Sequence, residues 1–316
     1  MFFLPDRLWQ AKAKNKSVNM RWLSYWFASD KTRFLLSELA TGTSASMKNI
    51  TKQDVMNLKI DIPPLPEQTK IAEILSTWDN AIATTEQLLA NSEQQKKALM
   101  QQLLTGKKRV GGVSKEWKKY SLDQLGYTYT GLSGKSKSDF GKGKQYIPYM
   151  NIFKNHKIDI NFLELVNIQE DENQNSVKYG DIFFTTSSET PDEVGMTSVL
   201  LDNLDNVYLN SFCFGYRLND FTLLLPEFAQ FLFRSEAVRR EISMLGQGAT
   251  RYNLSKTQLM KLEIPLPTLT EQQKIAEILT TADQEIAILT QKLDCLKQEK
   301  KALMQGLLSG KVRVKK

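Results

Sequence analysis

Residues 67–110, EQTKIAEILSTWDNAIATTEQLLANSEQQKKALMQQLLTGKKRV, return at 271–314 as EQQKIAEILTTADQEIAILTQKLDCLKQEKKALMQGLLSGKVRV, without a gap and with 27 of 44 positions identical. The offset of 204 residues (271 − 67) is far longer than a solenoid unit. A module has been duplicated together with its connector. The chain is therefore expected to build two similar helices related by an approximate twofold axis, with a less repetitive segment between them.

In the second copy Ile275, Ile278, Ala282, Ile286, Leu289, Leu293, Leu296, Leu303 and Leu307 follow one another at helical spacing, and Lys300 is the one polar seam position. The first copy offers Ile71, Ile74, Trp78, Ile82, Leu89, Leu99 and Leu103, with Thr85, Ser92 and Lys96 at weaker seam positions. Such a pattern, held for about five heptads, predicts a coiled-coil helix. Thr270 can cap the second helix, with Gln273 completing a capping box. Pro66 stands at the matching place in the first copy. Gly106 and Gly310 are placed to end the helices in the left-handed conformation, and Lys107 and Lys311 then face the negative helix ends. Helices of this size run roughly 55–60 Å and need a partner for their apolar seam. Each copy is the obvious partner of the other. The 160 residues from 111 to 270 let the chain return and lay the two helices antiparallel.

The intervening segment carries short apolar and aromatic runs, YIPYMNI at 146–152, DIFFTTS at 181–187 and VYLNSFCFGYRL at 207–218, which predict strands. A helix is expected over 226–245, ending at Gly246. The fold class is α+β: mixed globular domains alternating with two long antiparallel helices. The repeat also reaches upstream, because Gly42, Ala45, Asn49, Lys52, Met56, Leu58 and Ile60 match Gly246, Ala249, Asn253, Lys256, Met260, Leu262 and Ile264 at the same offset. Residues 20–39 resemble 226–245 in pattern. The expected organisation is 1–60, the last third of a first globular domain; 61–112, the first helix; 113–265, a complete second domain; and 266–316, the second helix.

A net charge of +7 and a pI near 9.1 permit a polyanionic partner, and a basic surface without one fits equally well. No run of eighteen apolar residues and no signal-peptide pattern occurs, which points to a cytoplasmic protein without a membrane span. Cys213 and Cys295 read as reduced thiols. Catalytic chemistry is not legible. The single histidine, His156, sits in a polar turn and reads as a surface residue. No Cys/His spacing suggests zinc or another metal, and GKS at 134–136 fails as a phosphate loop because Tyr129 stands where the first glycine is required. No Asn-Pro-Pro-Tyr-type methyltransferase motif and no nucleotide fingerprint is present.

A globular domain, then PxLxEQxKIAxIL, then a heptad helix ending in KALMxxLLxGKxRV, occurring twice, resembles the DNA-specificity subunit of type I restriction–modification systems. IPYMNI at 147–152, GDIFFTTSSETPDEVG at 180–195 and GQGATRYNLSK at 246–256 agree with it. The resemblance implies target-recognition domains that each read one half of a bipartite duplex site. It implies helices that separate the halves and dock methyltransferase subunits, and a restriction-translocase subunit that joins the assembly. It implies a non-catalytic chain with no cofactor of its own, S-adenosylmethionine and ATP belonging to the partners. The first domain departs from the family pattern. Pairing of two chains into a homodimer with a palindromic split target is therefore one reading, and an inactive fragment or a start further upstream are others.

Under that resemblance the basic glycine-rich loop GLSGKSKSDFGKGK at 131–144 offers Lys135, Lys137, Lys142 and Lys144 to phosphates. TTSSE at 185–189, with Thr185, Thr186, Ser187 and Ser188, and GQGATRY at 246–252, with Gln247, Thr250, Arg251 and Tyr252, offer short polar and two-pronged side chains to base edges. Met47 occupies the place of Arg251 in the first repeat. Asn151 and Lys154 are further candidates. Turn chemistry explains the same Ser, Thr and Gly residues without a ligand. The rival of another class is a coiled-coil adaptor without sequence-specific DNA binding, and a third reading is an enzyme.

Overall fold

The computed structural model describes residues 9–41, 48–110, 116–248 and 250–314. The expected boundary at 112/113 and the comparison of Met47 with Arg251 fall outside the described residues. Two compact units divide the chain, Met1–Ser92 with Glu285–Lys316, and Glu93–Gln284. The helices in chain order are α1 (Met20–Ala28), α2 (Asp30–Leu39), α3 (Lys52–Met56), α4 (Leu65–Leu103), α5 (Leu122–Leu125), α6 (Tyr149–Lys154), α7 (Pro226–Leu232), α8 (Glu236–Met244), α9 (Lys256–Met260) and α10 (Leu269–Leu308). None is long and apolar enough to cross a membrane among the described residues.

In the first unit α1 starts where the Asn19 side chain accepts from the backbone N–H groups of Arg21 and Trp22, and α2 starts where Ser29 accepts from Thr32. Trp22 and Trp26 of α1 are buried against Ile71, Ala72 and Leu75 of α4 and Leu307 of α10. The two long helices run antiparallel here, since Glu67 pairs with Arg313, Asp79 with Lys300 and Glu86 with Lys297.

The second unit holds the strands β1 (Lys118–Ser121), β2 (Gly126–Thr130), β3 (Phe140–Ile147), β4 (Glu164–Val166), β5 (Ile182–Thr185), β6 (Ser187–Ser188), β7 (Thr197–Val199), β8 (Tyr208–Leu209), β9 (Cys213–Leu218), β10 (Gly246–Gln247), β11 (Tyr252–Leu254) and β12 (Glu263–Leu266). Its centre is an antiparallel sheet in the order β2-β9-β5-β7. Both faces of β5 are covered. Ile182 and Phe184 join one apolar cluster with Phe214, Tyr216 and Phe233, while Phe183 joins another with Ile147, Ile152 and Leu209. A strand buried on both faces reads as a continuous apolar run, as DIFF does. β1 pairs antiparallel with β12, Lys118 opposite Leu266, and ties the domain's entry to its exit. Lys96 on α4 pairs with Asp283 on α10, and Arg109 with Glu271, so the helix segments of this unit are antiparallel as well.

The same contacts recur in both units on residues 204 apart. Glu67–Arg313 answers Glu271–Arg109, each a two-bond guanidinium–carboxylate pair at 2.7–2.8 Å. Asp79–Lys300 answers Asp283–Lys96. Gln68 and Gln272 are both fully buried. Gln68 accepts from the Asn19 N–H and donates to the Ser17 and Pro63 carbonyls. Gln272 accepts from the Leu225 N–H and donates to the Leu223 and Pro267 carbonyls. Each glutamine thereby replaces water at backbone groups that burial would otherwise leave unpaired.

The helix ends follow the expected glycines. Gly106 and Gly310 have φ of +70° and +73°, and the Lys108 and Val312 N–H groups donate to the Gln102 and Gly306 carbonyls at 3.0 Å, each bond closing a seven-residue span at the helix end. The start of α10 differs from expectation. It begins at Leu269, and Thr268, not Thr270, receives the Glu271 N–H, so the cap lies earlier than the Thr270–Gln273 pattern suggested. Two other expectations need correction. The run 146–152 is not one strand: β3 stops at Ile147, Pro148 takes the N-cap position, and α6 follows, because proline cannot donate to the ladder and is pre-set for a helix start. The helix expected over 226–245 is broken into α7 and α8 at Ser235, whose hydroxyl caps α8, as the 20–39 stretch is broken at Ser29.

Candidate nucleic-acid interface

Two loops far apart in sequence form one small sheet in the second unit. β10, β11 and β6 pair antiparallel in that order, with Gln247 opposite Asn253 and Asn253 opposite Ser187. Residues opposite one another in a sheet project on the same side. Gln247 and Asn253 are exposed and Ser187 half-buried, whereas Leu254 and Ser188, one step along, are buried. The result is a row of two amides and a hydroxyl facing outward from a rigid support. The turn before β11 depends on Gly248, with φ +134°, because a Cβ there would meet the Arg251 carbonyl at 2.1 Å. That turn puts the exposed Arg251 beside the row, where its Nε donates to Ser187 Oγ at 3.2 Å. Thr250 is exposed and Tyr252 half-buried in the same loop.

The residues expected to touch a ligand divide by burial. Thr185 is fully buried and its Oγ1 accepts from the Met196 N–H at 2.9 Å. Asn151 is fully buried, and its amide donates to the Asp159 and Phe162 carbonyls while accepting from the Asp159 N–H. Both are supports that hold loops in place, and neither reaches the surface. Ser188 is buried, bonded to Glu193 and to the Thr190 N–H. The half-buried Thr186 uses its backbone to receive the Leu254 N–H at 2.8 Å and to donate to the Phe212 carbonyl at 3.0 Å. Asn253 was not among the expected contacts. The only sequence signal for it is that it stands between Tyr252 and Leu254 in a strand, so it must face opposite to them.

The basic loop is also mixed. The Lys135 ammonium is nearly enclosed and bound to Glu172, whose carboxyl it holds below the usual range. It anchors the loop and is not free for phosphate. Lys137, Lys142 and Lys144 are exposed, the last two on β3, which bulges against β4 between Phe140 and Lys144. Lys154 is exposed at the end of α6. His156 is not the free surface residue expected. Its Nε2 lies 3.1 Å from Asp283 on α10, and its ring lies 5.2 Å from that of Phe231. Burial raises the Asp283 carboxyl, but His156 and Lys96 outweigh it and hold the group low. Nearby, the Arg234 guanidinium donates to the carbonyls of Ile152, Phe153, Asn155 and Thr197. Burial lowers its pKa to about 10, which leaves it charged at neutral pH. These contacts fix α6 and its following turn.

All fifteen seam residues expected between the helices are withdrawn from water to some degree. Ile71, Leu103, Ile275, Leu293 and Leu307 are buried. Ile74, Trp78, Ile82, Leu89, Leu99, Ile278, Ile286, Leu289, Leu296 and Leu303 are half-buried. Among the described residues no group of three His, Cys, Asp or Glu side chains is placed to hold a metal ion.

A family model described as the type I restriction modification DNA specificity domain matches residues 1–94 and 114–298. The chain belongs to that family. The type I restriction enzyme MjaVIII specificity subunit of Methanocaldococcus jannaschii is similar, 28% identical over 99% of this chain and 75% of its own length. The EcoKI specificity subunit of Escherichia coli is 24% identical over 86% of this chain and 60% of its own. Among solved structures, the HsdS subunit of Thermoanaerobacter tengcongensis aligns with a TM-score of 0.52 at 20% identity, covering 94% of this chain and 72% of that one. The S subunit from M. genitalium aligns with a TM-score of 0.57 at 15% identity, covering 92% and 73%. At these identities the structures speak for the fold, and the family model and the curated relatives speak for the specificity-subunit kinship.

Proposed function

We propose that this specificity subunit is the DNA-reading, non-catalytic member of a type I restriction–modification complex. Residues 113–265 are its target-recognition domain, and residues 1–60 resemble the last third of such a domain in pattern. The observation that carries the reading is the outward row Gln247–Asn253–Ser187 with Arg251 beside it. Amides can pair with two atoms of an adenine edge and a guanidinium with two atoms of a guanine edge. Lys137, Lys142, Lys144 and Lys154 supply phosphate contacts, which set position and salt dependence. The two long helices, 61–112 and 266–316, set the distance between half-sites and dock methyltransferase subunits, and a restriction-translocase subunit completes the assembly. S-adenosylmethionine and ATP belong to those partners. The setting is cytoplasmic. Two copies of the chain complete a bipartite, palindromic site between them.

An adaptor without DNA specificity has no use for such a row. Selection from random duplex pools, with and without co-purified methyltransferase, tests the choice. The expected outcome is an enriched motif and a steep loss of affinity between 50 and 200 mM salt. Enrichment of no motif, with binding indifferent to salt, would refute the reading.

A further inference from the structure

Beside the polar row lies a cavity of about 380 Å³ with an apolar floor. Tyr149 and Phe153 of α6 stack there with ring centroids 5.8 Å apart, Met150 lies between them in sequence, and Phe212 also lines the cavity. Phe212 is 61% exposed and Met150 39%. A phenylalanine that open to water in a mobile loop would be unremarkable, but this one is held. Its N–H donates to Asn210 Oδ1 at 2.8 Å, and its carbonyl accepts from Thr186, the residue immediately before β6. The Tyr149 hydroxyl donates to the Ser187 carbonyl at 3.2 Å. The apolar surface is therefore fixed in place relative to the row of polar readers.

The rim of the cavity decides what can lie over it. Arg251 and Glu189 both border it. A carboxylate there repels phosphate, so a duplex lying across this face presents base edges to the cavity and not backbone. Along the major groove the one bulky apolar group on those edges is the 5-methyl group of thymine. We propose that Phe212 and Met150 read thymine by enclosing its 5-methyl group, next to the base pair that Arg251 contacts. The proposal rests on the reading that residues 113–265 bind duplex DNA, and it adds one named element of the target.

The test varies the DNA, with one protein variant as its control. The full chain selects a motif from random duplexes. Each thymidine of that motif is then replaced in turn by deoxyuridine, which keeps every hydrogen-bonding group and lacks only the methyl. The expected result is about a fourfold loss of affinity at one or two thymidines, the worth of one buried methyl-sized group, and no such loss for Phe212→Ala, which binds the two duplexes alike. Equal binding of thymidine and deoxyuridine duplexes by the wild-type chain, or a motif without thymine, overturns the proposal and leaves the DNA-reading assignment standing. A selection that yields no motif overturns both.

Discussion

Arg251 is exposed and held at one end by Ser187, whereas Lys142 and Lys144 are exposed on β3. The two kinds of cation should fail differently. Arg251→Ala is expected to cost about tenfold in affinity for the selected duplex and to relax the choice at one base pair. Lys142→Ala with Lys144→Ala is expected to weaken binding to all duplexes alike and to flatten the salt dependence by roughly two phosphate contacts. Anisotropy titrations at several salt concentrations separate the two patterns. At this scale the sequence was only half legible. Thr185 and Ser187 are two residues apart in the same TTSSE run, yet one is sealed against the Met196 N–H and the other borders solvent. The difference arises where β5 gives way to β6, and composition carries no mark of it. The burial of Asn151 and the pairing of Lys135 are equally unmarked in the sequence. Their partners, the 159–162 turn eight to eleven residues on and Glu172 in another segment, are announced by no local pattern.

The two long helices were the clearest part of the chain to read, because a heptad seam and a C-terminal glycine are local signals. What the seam did not show is the second buried stripe, Ala72 and Leu75 on α4 and Ala276 and Leu279 on α10, which packs against the globular parts of each unit. A coiled-coil seam alone is narrower than the stripe a helix needs when it also serves a domain core. Charge pairs along the helices predict an acid response. Arg313 holds the Glu67 carboxyl below the usual range. Arg109 does the same for Glu271, and Lys300 with Tyr25 for Asp79, in each case against burial. For groups whose folded pKa is depressed, the stabilisation is present above the unfolded value and disappears as pH falls through the folded one. The thermal midpoint should therefore be flat from pH 7 to 5 and drop below about pH 4. In Glu67→Gln with Glu271→Gln that drop should shrink, with a lower plateau at pH 7. Calorimetry across this range checks both.

For the molecule as a whole, the prediction concerns copy number. Residues 20–60 match 226–264 in pattern. If two chains share one split target, sedimentation velocity of the chain with its methyltransferase partners should give two copies per complex, and the methylated motif should be palindromic about its gap. One copy per complex with an asymmetric motif would refute the pairing. The repeat announced the duplicated architecture from the sequence alone. The convergence of the 185–189 and 246–252 loops was hidden, because short two- and three-residue strands leave almost no periodicity to detect.

The matched pairs Glu67–Arg313 and Glu271–Arg109, with Asp79–Lys300 and Asp283–Lys96, make the two connectors interchangeable parts. An unequal genetic crossover between the codons for Asp79 and Asp283 would add or remove 204 residues in frame while keeping the helix phase at the joint. Recombination between two such chains at the same codons would swap the piece between the connectors and leave the bracket that carries it intact.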